Sequence, residues 1–148
     1  MFKQRTIALS LFLGLAVLVL AVSIALATGT KETTIMTGAA ERPGPGDPDG
    51  SGVALIELNQ GQGEVCFTLQ VQNITLPATG AHIHHADASS PGPVVIPLTP
   101  PDASGISSGC VPAARDLIKD IRKNPAEYYV NVHNVDYPAG AIRGQLGQ

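Results

Sequence analysis

The chain is 148 residues long, with nine Lys and Arg against twelve Asp and Glu, for a net charge of −3. That length fits one domain with one hydrophobic core and excludes two. The mildly acidic balance, without a basic run outside the first residues, argues against nucleic acid and against an anionic membrane surface as partners.

Lys3 and Arg5 precede an apolar run from Ile7 to Ala27, which closes on Ala25-Leu26-Ala27. A charged start, an apolar stretch and a small-x-small ending predict a signal peptide over residues 1–27, with Thr28 as the first mature residue. About 20 apolar residues also suffice to span a bilayer, so an uncleaved anchor is the alternative, and then the only membrane contact. Either way the charge asymmetry places the domain outside the cytoplasm, secreted or at the cell surface. Removing 27 residues from 148 leaves 121, carrying seven Lys and Arg against twelve Asp and Glu, or −5.

Residues 28–34 read as a short polar leader, with a strand starting near Ile35 and stopping at Gly38. Residues 41–52 (ERPGPGDPDGSG) are a loop of tight turns. Val53–Leu58 is a strand, and Asn59–Gly63 a hairpin-like turn. The clearest alternation follows, with Val65, Phe67, Leu69 and Val71 on the core side and Glu64, Cys66, Thr68 and Gln70 on the other. Ala81 and Ile83 face inward on a short strand, leaving His82 and His84 outward. Val94–Ile96, flanked by Pro93 and Pro97, suits an edge strand. Pro100–Gly109 reads as a loop ending at Cys110.

Ala114, Leu117, Ile118 and Ile121 form an apolar stripe at helical spacing, with Lys119, Arg122 and Lys123 toward the end and Asn124-Pro125 as the stop. Two strands follow, Tyr128–Asn134 and Ala141–Leu146, joined by a turn through residues 136–140. The expected fold is all-β, an antiparallel β-sandwich or flattened barrel with one inserted short helix.

Cys66 and Cys110 are the only cysteines, and in an oxidising compartment they predict one disulfide strapping a loop over the outside of the sheet. Two buried thiols are the alternative. Closing this 44-residue separation contributes roughly 4 kcal/mol in the chain-entropy account.

With Val130 and Val132 facing the core, Tyr129, Asn131 and His133 face outward. With Ile142 and Leu146 facing the core, Arg143 and Gln145 do likewise. If these strands are neighbours, His82, His84, His133 and Arg143 form one surface cluster. Two histidines about 7 Å apart on a strand, with a third on another strand, can converge on copper or zinc. Asn131 would support such a site and Arg143 would attract an anion to it. The competing reading has the histidines bonding neighbouring loops and holding the Asp87–Gly92 turn; a third has them touching a partner directly. His85 has the opposite parity and is a weaker fourth candidate.

Other chemistry finds less support. Ser107 and Ser108 lack a nucleophile elbow. The Asp47/Asp49 loop lacks the spacing and closing Glu of an EF-hand. Asn73-Ile74-Thr75 is a glycosylation sequon, meaningful only in a host that glycosylates exported proteins.

Residues 35–148 resemble the CHRD domain, the module repeated in chordin and widespread in exported microbial proteins. The likeness rests on MTGAAERPG at 36–44, GSGVALIELN at 50–59, GAHIHHADASSPGPVVIPL at 80–98 and YYVNVHNVDYPAGAIRGQL at 128–146. The cysteine pair and the GDPDGSG loop are similar to those of a bacterial branch. Ala141 departs from the usual Glu, Ala86 from a Gly, and Pro43-Gly44 from Pro-Pro. The resemblance implies a fold and an exported location more than a function; the leading reading is a non-catalytic interaction or structural module acting on an extracytoplasmic protein or surface ligand. A fainter likeness, to copper–zinc superoxide dismutase, implies His82, His84 and His133 as copper ligands and Arg143 as the anion-attracting residue; the run of His and Asp for a zinc half is missing.

Overall fold

A computed structural model describes residues 29–148. The expected signal peptide lies outside the described residues. Among them, no helix is long and apolar enough to cross a membrane.

Eight antiparallel strands make one sheet that curls into a nearly closed barrel. They are β1 (Thr30–Thr37), β2 (Ser51–Asn59), β3 (Glu64–Gln72), β4 (Gly80–His85), β5 (Val94–Leu98), β6 (Ile106–Pro112), β7 (Tyr128–His133) and β8 (Ile142–Gln145). Their spatial order is β5-β4-β7-β8-β1-β2-β3-β6. One helix, α1 (Arg115–Lys123), leads from β6 toward β7.

Alternation explains the core. Val65, Phe67, Leu69 and Val71 of β3 meet Ala54, Ile56 and Leu58 of β2 inside the barrel, with Ala81, Ile83, Val130, Val132 and Ile142 completing the wall. Each large side chain so placed contributes about 1.5–3 kcal/mol. Ile118 and Ile121 of α1 join the same cluster, and Leu117 packs against it, as the helical stripe requires. Arg122 holds the helix down by donating to Thr30 Oγ1 and Gln60 Oε1, both at 2.8 Å.

Two expectations are corrected. The first strand begins at Thr30, so residues 30–34 are not leader: they pair with β2 from Thr30↔Leu58 onward. The polar composition of Thr30–Thr34 hid a strand whose outward residues are solvated. The segment before Cys110 is likewise not all loop, because β6 starts at Ile106 and pairs with β3. The Cys66–Cys110 disulfide therefore joins directly opposed residues of adjacent strands rather than strapping a loop. Ser107, Ser108 and Gly109 carry little strand propensity, and the β3 ladder overrides it.

Candidate metal centre

The site grows out of three adjacent strands, β4, β7 and β8. In the ladder His82 lies opposite Asn131, His84 opposite Tyr129, and Asn131 opposite Arg143. Residues directly opposed on one sheet face have neighbouring side chains. His82, His84, Tyr129, Asn131, His133, Arg143 and Gln145 thus share one side, as the alternation predicts.

That side is not open to water throughout. His84 is 8%, Asn131 2% and Arg143 1% exposed. The cover is the loop over residues 86–93, held by four buried side chains. His84 Nδ1 donates to Gly92 O at 2.8 Å, and the Gly92 N–H donates to the Tyr129 hydroxyl at 3.2 Å. Arg143 donates to Asp87 O at 2.6 Å and Ser90 O at 2.9 Å, and Gln145 Nε2 donates to Ala86 O at 2.8 Å.

The three histidines do come together. One ring nitrogen from each of His82, His84 and His133 lies within 4.8 Å of the other two. His82 Nδ1 is 3.2 Å from His133 Nε2. The His82 ring stands edge-on to both others, at 5.5 Å from His84 and 5.0 Å from His133. His133 Nδ1 donates to Pro138 O at 3.0 Å. Thus His84 and His133 each spend an Nδ1–H on a backbone carbonyl, which leaves Nε2 with its lone pair. This is how metal-ligating histidines are oriented by their surroundings. Burial, then the neighbouring His133 and His84, hold the His82 imidazole below the usual histidine range. Burial also lowers His133, against the opposing pull of Pro138 O. Both therefore favour the neutral form that ligates metal.

Arg143 does not join this cluster. Its guanidinium carbon lies 3.4 Å from the Tyr129 ring centroid, and Tyr129 in turn stacks on His84 at 4.7 Å. Since β7 runs between β4 and β8, Tyr129 stands between the histidine and the arginine. The expected surface cluster of four is corrected to three histidines, with the arginine buried and its donors engaged by carbonyls. His85 turns away as its parity requires, stacking on Tyr128 at 4.6 Å and lying 3.6 Å from Glu127.

The family assignment now has its structural setting. The CHRD domain family matches residues 33–146, nearly every described residue. The chain belongs to the CHRD domain family. No curated protein and no solved structure matches it. In this CHRD domain the segments around His82 and His133 form the adjoining strands β4 and β7, and that around Arg143 forms β8.

Sequence reasoning allowed the histidines to hold the Asp87–Gly92 turn, as His84 does through Gly92 O, but it missed Pro138 O, because backbone atoms leave no composition signal. It offered Glu41 as a residue that could pair with the cluster but could not fix its place. That carboxyl is 2% exposed, and its Oε1 has no hydrogen-bond partner. Burial raises its pKa to about 7, despite the lowering influence of Arg143 and Arg42.

Proposed function

We propose that this chain is a non-catalytic, extracytoplasmic CHRD domain that holds a late first-row metal ion, copper or zinc, on His82, His84 and His133. The observation that carries the reading is the pre-aiming of two imidazoles: the Nδ1–H groups of His84 and His133 are fixed on Gly92 O and Pro138 O. The third nitrogen already lies 3.2 Å from His133 Nε2. Two nitrogens on a tetrahedral ion with bonds of about 2.0–2.1 Å lie about 3.3 Å apart, so this pair needs almost no movement. The Cys66–Cys110 disulfide fits an oxidising compartment.

The test is metal content after equilibration with copper and zinc and dialysis, for wild type beside His84→Ala and His133→Ala. One ion per chain in wild type, lost in both variants, supports the reading. Background metal in wild type overturns it. Mass measurement of the mature protein separates cleavage before Thr28 from a retained anchor.

A second reading is favoured by the loop over residues 86–93. Its backbone is held by His84, Tyr129, Arg143 and Gln145, which would suit a rigid surface offered to an extracytoplasmic protein or surface ligand. It predicts that His84→Ala changes loop order and partner binding while metal stays at background.

A further inference from the structure

Resting on the three-histidine reading, we infer that Asn131 is the fourth ligand and closes the site around zinc. A neutral imidazole carries one N–H. His84 faces an acceptor at each ring nitrogen, Gly92 O at 2.8 Å from Nδ1 and Asn131 Oδ1 at 3.1 Å from Nε2. With the N–H on the shorter contact, the Nε2 lone pair points at the amide oxygen, in a place where both residues are buried. Two acceptors facing each other away from water are unfavourable. A cation between them turns that conflict into two bonds.

The distances fit this role. His82 Nδ1 to His133 Nε2 is 3.2 Å, and His84 Nε2 to Asn131 Oδ1 is 3.1 Å. Each is close to the edge of about 3.3 Å expected between donors on a tetrahedral zinc. The two pairs share no atom, so with the three imidazoles drawn from within 4.8 Å onto one ion they would supply opposite edges of its tetrahedron. Asn131 lies directly across the ladder from His82, on the strand that also carries His133. Three imidazoles and one amide oxygen leave no open position, which matches structural zinc rather than a site that turns over a substrate. A closed tetrahedron also disfavours copper(II), which prefers tetragonal geometry.

The experiment uses the folded exported domain, with zinc for affinity and cobalt(II) as a spectroscopic stand-in. The variants are Asn131→Ala and Asn131→Asp. Wild type is expected to bind zinc, to show the intense visible bands of four-coordinate cobalt, and to be unmoved by azide. Asn131→Ala is expected to bind zinc at least 10-fold more weakly and to gain an azide-sensitive cobalt spectrum, as water replaces the amide. Asn131→Asp, which restores an oxygen donor, is expected to recover affinity and azide resistance. If wild type and Asn131→Ala bind zinc equally and respond equally to azide, Asn131 is not a ligand and the three-histidine site stands alone. If wild type binds neither zinc nor cobalt, the three-histidine reading itself fails, and this inference with it.

Discussion

The Arg143 guanidinium lies on the face of the Tyr129 ring, 3.4 Å from its centroid, inside a domain where the arginine is 1% exposed. A guanidinium so stacked gains from the ring's negative face as well as from its planar contact. Its donors meet Asp87 O, Ser90 O and Gln145 Oε1, so one side chain fastens the loop over residues 86–93 to β8. Lysine cannot stack as a plane, and its three donors sit on one nitrogen instead of the two that here reach Ser90 O and Asp87 O. Arg143→Lys is therefore expected to lose about 2–4 kcal/mol in chemical denaturation, since buried carbonyls would lose their donors. A change below about 0.5 kcal/mol would show that the arginine is not what holds the loop.

Glu41 makes stability depend on pH in an unusual direction. Its carboxyl rises from 4.5 to about 7 in the fold, chiefly through burial. A raised folded pKa means the fold favours the protonated acid. The associated stability is fully present below about 4.5 and is lost as pH rises through about 7. The gap corresponds to about 3 kcal/mol by linkage. Glu41→Gln removes the ionisation. Relative to wild type, the variant should gain stability between about pH 4.5 and pH 7 and level off above that, in thermal or urea melts. Parallel stability curves for the two proteins across that range would contradict the assignment.

The alternation of β3 and the inward facing of Ala81, Ile83, Val130 and Val132 were legible in the sequence, because one-sided burial leaves a period of two; that β4 pairs with β7 was not. The same rule put His82, His84, Asn131, His133 and Arg143 on one side of the sheet. It could not tell that this side is half covered. An outward residue beneath a loop has the same parity as one in water, and the loop's hold depends on backbone carbonyls from residues 87, 90 and 92. Arg143 was thus legible as a companion of the histidines but not as a buried clamp behind Tyr129. The strands at Thr30–Thr34 and Ile106–Gly109 escaped for a different reason. Neither alternates in hydrophobicity, and only pairing with β2 and β3 makes them strands.

The disulfide lies at the open edge of the sheet. β6 has a partner only in β3, and Cys110 is exposed while Cys66 is partly covered. With the cysteines 44 positions apart, its removal should cost about 3–4 kcal/mol through the freer unfolded chain. The Cys66→Ala, Cys110→Ala double variant should melt lower, and its β6 amides should exchange faster than those of β4 and β7. Uniformly faster exchange throughout the barrel would show instead that β6 is not a separable edge.

Gly92 links the loop to the histidine cluster through its backbone. Its carbonyl accepts from His84 Nδ1 and its N–H donates to the Tyr129 hydroxyl. A Cβ at this position would lie 2.1 Å from His85 O and 2.7 Å from the carbonyl carbon, both backbone atoms that cannot swing aside. Gly92→Ala must therefore displace the loop, taking the carbonyl away from His84. Because that carbonyl fixes the Nδ1–H tautomer, its loss frees the ring to rotate and weakens Nε2 as a ligand. The variant is expected to lose about 2–3 kcal/mol of stability and to bind zinc at least 10-fold more weakly. Ser90→Ala, in the same loop, keeps the Ser90 carbonyl bonded to Arg143; it serves as the control and should leave both quantities near wild type. Undiminished zinc affinity in Gly92→Ala would separate the loop from the metal site and leave Asn131 and Pro138 O as the supports of the cluster.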